Sequence, residues 1–330
     1  MSNPHKDVPA RQTCDISLAR IEEAAATINP VFRHSPQLVF DSLSRELGAD
    51  VVLKVETLNP IRSFKGRGPD YFVSGLSEKT PLVAASAGNF GQGLAYAARA
   101  RGIAFTVFAA ENANPLKLDR MRALGAEVVL AGHDFDAAKA AAQQHAQAHT
   151  LRFVEDGRDP AIAEGAGTIA VELLRWPRPF DALLIAVGNG SLVNGMGTWI
   201  KAHAPDTRVI GVCAAGAPAM ERSWRSGKVE TTATADTIAD GIAVRVPVPP
   251  AVEDMRAVVD EVLLVDDAAI LRAMRLLLHH TGLLVEPSGA VGLAAIQMHR
   301  QRFAGKLLAT PLCGGNVTRE QFRQWFFEEG

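Results

Sequence analysis

The chain has 330 residues, of which 48% are apolar, and its formal net charge is −2. That balance, without a run of lysine and arginine, excludes a nucleic-acid-binding surface, and no segment has the roughly 18 uninterrupted apolar residues that would cross a membrane. The length exceeds what one hydrophobic core usually fills, so two lobes are expected.

Cysteine usage and the N-terminus predict a cytoplasmic protein. The three cysteines, Cys14, Cys213 and Cys313, lie far apart and form no C-x-x-C pair, which argues against a disulfide framework and against a structural zinc site. Residues 1–7 are mostly polar and contain no apolar signal core, so export is not expected.

A polar leader precedes two predicted helices at 16–26 and 42–47, and from residue 50 onward strands alternate with helices. The predicted strands are 51–55, 82–85, 104–109, 127–130, 151–154, 182–187, 208–212, 262–265 and 307–312. The predicted helices between them are 69–76, 91–101, 115–124, 135–149, 161–174 and 268–280. Such alternation predicts an α/β fold with two open, mostly parallel sheets and flanking helices.

The domain organisation follows from the absence of a repeat or a loose linker in the sequence. The two lobes must share the chain, and residues 81–155 are predicted to form a smaller α/β domain inserted into a larger one built from 1–80 and 156–330. In open parallel sheets, ligands collect at the carboxyl ends of the strands. We therefore expect the active site between the lobes, in the loops that directly follow strands.

The first of these loops carries Lys65, which follows Phe64 and precedes a pair of closely spaced glycines. The pattern predicts a strand, a turn and then a helix that begins near Lys65. A lysine there would be partly desolvated and near the positive end of a helix, and both effects favour the neutral amine, a nucleophile toward aldehydes. For these residues alone, a solvated lysine at a helix start is the alternative.

A second loop of small residues follows the predicted strand 82–85. Ser86, Ala87 and Gly88 offer free backbone N–H groups and a hydroxyl that suit a carboxylate, and the amide of Asn89 suits a phenolic oxygen. A plain helix cap by Ser86 is the alternative.

A third loop, after the strand at 182–187, is rich in glycine and opens a helix. Its N–H groups suit a phosphate, which the helix dipole also favours. The residues concerned are Gly188, Asn189, Gly190, Ser191 and Leu192. Val193 stands where a dinucleotide fingerprint needs its third glycine, and no Walker lysine follows, so a small phosphorylated ligand is indicated. A tight turn between strand and helix is the alternative.

Two loops near the C-terminus complete the set. Glu286 precedes Pro287 at the positive end of a predicted helix, where a carboxylate is also a plain cap. Cys313 and Gly314 follow the last strand, and two glycines there let the backbone approach a flat ring, although a buried structural cysteine is the alternative. Taken together, the five loops describe pyridoxal 5′-phosphate: a phosphate, a ring with a phenolic oxygen and a nitrogen, and an aldehyde.

The sequence resembles the fold-type II pyridoxal-phosphate enzymes, whose fold is like that of tryptophan synthase β, and within them the threonine/serine dehydratase and serine racemase branch. Five motifs carry the resemblance in the family's order: Ser-Phe-Lys-x-Arg-Gly at 63–68, Ser-x-Gly-Asn at 86–89, the phosphate loop at 188–192, Glu-Pro-x-Gly-Ala at 286–290 and Cys-Gly-Gly-Asn at 313–316. The resemblance implies a Schiff base on Lys65 and a substrate carboxylate held at 86–88. It implies cofactor contacts from Phe64, Lys65, Asn89, residues 188–192, Glu286, Cys313 and Gly314.

The chain departs from that family pattern at four places. Phe90 stands where relatives commonly have histidine, and the phosphate loop carries Asn189 and Ser191 where relatives often have glycine. Residues 213–218 lack the acidic residue that follows the corresponding strand in metal-binding relatives, which implies that no metal is held there. The chain ends at Gly330, which leaves no room for a C-terminal regulatory domain.

The implied reaction removes the β-hydroxyl of a small β-hydroxy-L-amino acid such as threonine or serine. Lys65 takes the α-proton, the cofactor ring spreads the negative charge, water leaves, and a 2-oxo acid and ammonia result. Cys313 beside the ring nitrogen is a poor proton donor, so the ring is expected to stay less protonated than when it is paired with aspartate. The resemblance also implies a small amino acid as partner and a homodimer as the assembly.

Three other functions fit the same pocket: an amino-acid racemase, a β-replacement enzyme, and a catalytically silent protein that binds cofactor or amino acid. Racemisation needs a second acid or base on the cofactor face opposite Lys65. In the racemases of this family a serine supplies it from the variable position of the Ser-x-Gly-Asn loop, which here is Ala87, so elimination is favoured.

Overall fold

The structure is a computed structural model that describes residues 15–113 and 115–327. Cys14, the polar leader at 1–7 and the end of the chain at Gly330 lie outside the described residues. The strands are β1 (Gln37–Leu38), β2 (Asp50–Val55), β3 (Leu82–Ala85), β4 (Phe105–Ala109), β5 (Glu127–Leu130), β6 (Arg152–Phe153), β7 (Ala182–Ala186), β8 (Arg208–Ala214), β9 (Glu261–Val265) and β10 (Leu307–Leu312).

The α-helices surround these strands and alternate with most of them. They are α1 (Leu18–Thr27), α2 (Asp41–Leu47), α3 (Arg67–Ser74), α4 (Asn89–Arg101), α5 (Pro115–Ala123), α6 (Phe135–Ala148), α7 (Pro160–Leu173), α8 (Ser191–His203), α9 (Ala219–Ser226), α10 (Pro249–Val258), α11 (Asp267–Thr281), α12 (Pro287–Met298), α13 (Arg300–Phe303) and α14 (Arg319–Phe326). Within the part of the chain described, none of the helices combines the length and the apolar character that a membrane crossing requires.

The strands form two sheets, which confirms the predicted α/β class. The larger sheet has the order β1-β2-β10-β7-β8-β9, and the smaller has the order β5-β4-β3-β6. Neighbouring strands pair in parallel throughout, except that β1 pairs with β2 antiparallel. The carboxyl ends of parallel strands meet at one edge of a sheet, so the loops that follow them are brought together.

The sequence misses one strand and misplaces several element ends. The strand β1 has two residues, too few to show the alternation that reveals a strand. The predicted strand at 151–154 shortens to β6, and the predicted helix at 16–26 begins at Leu18. Three strands, β3, β5 and β10, agree with the prediction from end to end.

The larger sheet is built around strands that are buried on both faces. All residues of β7 and β10 are buried, and the helix α12 that packs on them is buried from Pro287 to Ile296. Small residues allow this close approach, since a Cβ at Gly292 would lie 2.0 Å from Oγ1 of Thr310. The helix α12 is thereby held in the core, and its first residues stay close to the end of β10.

The smaller sheet takes its strands from Leu82 to Phe153, inside the segment 81–155 predicted as an inserted domain. The boundaries of the two domains stay a prediction. The alanine-rich helix α6 covers this sheet with the buried residues Ala138, Ala142 and Ala146, and Asp134 caps it by accepting a hydrogen bond from the N–H of Ala137 at 2.8 Å.

Candidate active site

A cavity of about 590 Å³ lies between the two sheets, and loops that follow their strands line it. Of the predicted site residues, those that line it are Phe64, Lys65, Ser86, Ala87, Gly88, Asn89, Gly188, Asn189, Gly190, Ser191, Leu192, Glu286 and Cys313. Gly314 lies behind this wall, where its backbone bridges to Ser63 and a Cβ would come within 2.1 Å of Oε1 of Glu286. The structure therefore brings the five predicted loops to one place.

Lys65 sits in a single turn of 3-10 helix, Phe64–Gly66, just before α3. This turn is fastened to the end of β10, because the Ser63 hydroxyl and the Phe64 N–H donate to the carbonyl of Cys313 at 3.0 and 3.1 Å. On its other side α4 presses against it, since a Cβ at Gly93 would lie 2.0 Å from the Lys65 carbonyl. The backbone of Lys65 is thus held between the end of β10 and α4.

The ε-amine of Lys65 lies beside a carboxylate rather than in an apolar pocket. Its Nζ donates to Oδ2 of Asp156 at 2.6 Å and to Oγ of Ser191 at 3.2 Å, and it lies 4.7 Å from the centre of the Phe64 ring. Asp156 is not among the residues that the sequence predicts. It comes shortly after β6, so the rule that sites follow strands points to its loop, but no motif marks it.

The loop after β3 combines a helix cap with a wall of the cavity. The hydroxyl of Ser86 accepts hydrogen bonds from the N–H groups of Gly88 and Gly91 at 3.1 and 3.0 Å, so the plain capping role is present. Ala87, Gly88 and Asn89 nevertheless line the cavity at the N-terminus of α4. Of the N–H groups predicted to be free, those of Ser86 and Gly88 already donate, to the Phe108 carbonyl at 3.0 Å and to Oγ of Ser86 at 3.1 Å. An anion in this loop therefore depends on the positive end of α4.

The loop after β7 forms the start of α8 and has the geometry of an anion cradle. Gly190 has φ +95° and caps the helix without a side-chain hydrogen bond, and residues 188–192 line the cavity. The first N–H groups of α8 are thus available to an anion there. At Gly188 a Cβ would lie 2.8 Å from the carbonyl of Gly241, so a side chain has no room there.

Glu286, the residue before α12, is buried and accepts two hydrogen bonds. The amide of Asn89 donates to Oε1 at 2.6 Å, and the N–H of Asn316 donates to Oε2 at 3.0 Å. Burial, and after it the nearby charge of Asp240, raises the pKa of Glu286 to about 7. The carboxyl therefore changes its charge close to neutral pH.

Cys313 is a buried thiol at the end of β10 and donates to the carbonyl of Ser288 at 3.4 Å. Burial, together with the charge of Glu286, raises the pKa of the Cys313 thiol to about 12. The group therefore stays neutral at physiological pH. Cys213 is also a buried free thiol, away from the cavity.

A buried charged network supports the lysine from behind. Arg67, two residues after Lys65, is fully buried; its Nε lies 2.8 Å from Oε2 of Glu56 and its Nη1 lies 2.8 Å from Oε1 of Glu172. Nζ of Lys54 lies 2.5 Å from the other oxygen of Glu172. Burial alone would raise the pKa of Glu172, but the hydrogen bonds and charges of Arg67 and Lys54 outweigh it and lower that pKa to about 2. Two cations and two carboxylates thus balance in the core where α3 begins.

The site fits pyridoxal phosphate on three observations. The Lys65 amine lines the cavity, and the cradle at the start of α8 suits a phosphate. The buried hydroxyl of Ser288 has no hydrogen-bond partner within the described part of the chain, which leaves a polar group for a ligand to meet. Among residues 15–113 and 115–327, no group of three or more His, Cys, Asp or Glu side chains is placed to hold a metal ion.

A two-sheet α/β fold with a lysine between the sheets and an anion cradle opposite defines a class of cofactor-dependent enzyme. Residues 28–314 match the model of a family described as pyridoxal-phosphate dependent enzymes, and the chain belongs to this family. It is 37% identical over 306 residues to the L-threonine ammonia-lyase of Thermotoga maritima, a match that covers 92% of this chain and 76% of that protein.

Solved structures agree with this placement. The processed form of threonine deaminase isoform 2 from Solanum lycopersicum superposes with a TM-score of 0.87 at 28% identity, over 96% of this chain and 90% of that one. The serine racemase of maize superposes with a TM-score of 0.88 at 26% identity, over 94% of this chain and 96% of that one. The predicted family, its threonine/serine dehydratase branch, the fold and the cofactor are therefore confirmed.

Proposed function

We propose that this chain removes the β-hydroxyl of a small β-hydroxy-L-amino acid such as threonine or serine, with release of a 2-oxo acid and ammonia. The supporting observation is the Lys65 amine, which lines the cavity together with the small-residue loop at 86–89 and the anion cradle at 188–192. The L-threonine ammonia-lyase of Thermotoga maritima, to which the chain is similar, supports the same reaction.

Each wall of the cavity is proposed to hold one part of the reacting system. The first residues of α4, with Ser86, Ala87 and Gly88, take the substrate carboxylate, since backbone N–H groups at a helix start suit an anion. The start of α8, from Gly188 to Leu192, takes the cofactor phosphate for the same reason. Phe64, Asn89, Glu286 and Cys313 face the remainder of the cofactor, and Gly314 supports them from behind the cavity wall.

The chemistry needs a base at the α-carbon. Pyridoxal phosphate, when bound, supplies an aldehyde for an amine and a ring that delocalises the electrons left at the α-carbon. Lys65 then takes the α-proton on its ε-amine, and the turn fastened to β10 and α4 fixes the backbone from which that amine extends. The neutral thiol of Cys313 gives no charge to its surroundings.

The proposal extends to a homodimer in the cytoplasm with a small amino acid as substrate. The resemblance to the family supports the dimer, and the free thiols of Cys213 and Cys313 suit a reducing compartment.

A panel of amino acids tests the proposed function. Protein loaded with pyridoxal phosphate is incubated with L-serine, L-threonine and, as a control without a β-hydroxyl, L-alanine, and 2-oxo acid and ammonia are measured. Equal amounts of the two products from serine or threonine, and no turnover of alanine, are expected. A protein that binds these amino acids but releases no 2-oxo acid would be a silent binder, and the proposal would be wrong.

A further inference from the structure

A carboxylate that no motif marks lies against the proposed base. Asp156 is buried, with 8% of its surface exposed, and its Oδ2 accepts the hydrogen bond of 2.6 Å from Nζ of Lys65. A proton on one of these groups can reach the other directly, because 2.6 Å is within hydrogen-bond range.

The second oxygen of Asp156 is unused. Its Oδ1 is buried and has no hydrogen-bond partner among residues 15–113 and 115–327, although the residue lines the cavity. A buried carboxylate oxygen without a donor costs free energy, so such an atom in a cavity wall indicates that a ligand supplies the donor. A hydroxyl on the substrate suits this position, because it donates to a charged carboxylate and accepts from a protonated carboxyl group.

The backbone holds this carboxylate firmly. Gly157 has φ +86°, and a Cβ there would lie 2.3 Å from the carbonyl of Asn189, so the loop is packed directly on the proposed phosphate cradle. On the other side of Asp156, the N–H of Glu155 donates to Oδ2 of Asp159 at 3.2 Å, just before α7 begins. Asp156 is therefore fixed between its neighbours and directed at Lys65.

We propose that Asp156 is the acid that protonates the departing β-hydroxyl, an inference that rests on the function proposed above. Lys65 takes the α-hydrogen as a proton and passes a proton to Asp156, and Asp156 gives it to the hydroxyl oxygen. The electron pair of the Cα–H bond forms the Cα–Cβ double bond, the Cβ–O bond breaks with its electrons on oxygen, and water leaves. Lys65 and Asp156 end in their starting protonation states.

Two physical arguments support this relay. The α- and β-carbons of the substrate are bonded to each other. Asp156 contacts Lys65, the base at the α-carbon, so it also lies near the hydroxyl on the β-carbon. Hydroxide is a poor leaving group at neutral pH, so an acid at this point lowers the barrier.

Substrates with different leaving groups test the inference. β-Chloro-L-alanine loses chloride, which needs no proton, whereas L-serine loses hydroxide. For Asp156→Asn, the ratio of kcat/KM for serine to that for chloroalanine should fall about 100-fold, the lower end of what a positioned general acid contributes. Glu155→Gln is the matched control, because Glu155 pairs with Lys139 and Arg158, and its ratio should not change.

One measurement and one further variant show whether a change in the kcat/KM ratio comes from the lost acid. Borohydride reduction followed by peptide mass spectrometry should find the cofactor on Lys65 in every variant, and Asp156→Glu, which keeps an acid, should hold the ratio nearer to that of the unmodified protein. If Asp156→Asn lowers kcat/KM equally for both substrates, or leaves kcat/KM unchanged for both, Asp156 is not the acid. If the unmodified protein acts on neither substrate, the proposed function itself fails.

Discussion

The amide of Asn89 lies 2.6 Å from Oε1 of Glu286, and this hydrogen bond joins the start of α4, which follows the smaller sheet's β3, to the start of α12, which packs on the larger sheet. Asn316 closes the group, since its amide donates to Oδ1 of Asn89 at 2.7 Å and its N–H donates to Glu286 at 3.0 Å. Because both asparagine contacts favour a charged carboxylate while burial favours a neutral one, the state of Glu286 depends on pH.

The first prediction is a pH dependence of stability that Glu286 causes. Its pKa rises from an ordinary value of 4.5 to about 7, so between these values the folded protein keeps a proton that the unfolded chain has lost. The proton that Glu286 holds in the folded protein contributes fully to the free energy of unfolding below about pH 4.5, and this contribution is lost as the pH rises to about 7. Thermal unfolding of cofactor-free protein from pH 5 to 8 measures this loss of stability.

Glu286→Gln isolates this effect. The glutamine keeps one acceptor oxygen, so the variant loses one of the two hydrogen bonds at every pH. The difference between its melting temperature and that of the unmodified protein should nevertheless shrink as the pH rises. A constant difference across the range would contradict the assignment of the raised pKa to Glu286.

The second prediction concerns the buried network beneath Lys65. Arg67→Ala leaves the carboxylates of Glu56 and Glu172 without their main partner, and breaking a buried ion pair in this way costs about 3–5 kcal/mol. Urea unfolding of cofactor-free protein measures the loss. The control is Arg178→Ala, whose exposed pair with Asp50 should contribute less than about 1 kcal/mol. Similar losses in both variants would show that the network adds no stability.

The third prediction identifies the lysine that carries the cofactor. Lys65→Ala should abolish both turnover and the covalent link, because Lys65 is the amine held at the centre of the predicted loops. Borohydride reduction and peptide mapping locate the linked residue, and the exposed Lys228→Ala serves as the control. Recovery of the reduced cofactor on a different lysine would rule out the central assignment.

The fourth prediction concerns the anion cradle at the start of α8. Gly190→Val places a side chain where a Cβ would already lie 2.9 Å from Nδ2 of Asn194, and the N–H groups around it should turn away from the phosphate. The loss of one or two charge-assisted hydrogen bonds weakens cofactor binding by about 1–3 kcal/mol, measured by titration of cofactor-free protein.

Gly305→Val is the matched control for backbone strain in that experiment. Gly305 also has a positive φ, +71°, but a Cβ added there would meet no atom of the described residues within 4 Å. The variant should therefore lose stability without losing cofactor affinity. Equal affinities for Gly190→Val and the unmodified protein would place the phosphate elsewhere.

Most of the fold is predictable because its strands are short apolar runs bounded by turn residues. Strands β3 and β10 show this, since every residue in them is buried and each ends in a loop of small residues. The two-residue strand β1 has no such pattern. Its pairing depends on β2 as a partner, which is a tertiary effect that periodicity does not record.

The site residues likewise fall into those that a sequence motif marks and one that only the tertiary structure shows. Lys65, Asn89 and Glu286 are predictable because each belongs to a compact motif. Asp156 is not, because its role arises from a contact with a residue 91 positions earlier in the chain. The partial desolvation expected at Lys65 describes only one side of the amine, near the Phe64 ring, because the amine also contacts the carboxylate of Asp156. Contacts between distant segments are what sequence patterns leave open.

The last prediction separates elimination from racemisation. Inversion needs an acid or base on the face of the cofactor opposite Lys65, and Ala87, which lines the cavity in the loop after β3, offers only a methyl group. A carbanion formed by Lys65 can then regain its proton on the original face or expel the β-hydroxyl. With L-serine and L-threonine, chiral chromatography should find 2-oxo acid in large excess over D-amino acid, and Ala87→Ser should increase whatever inversion occurs. D-Serine that forms as fast as pyruvate would show that another group serves the opposite face.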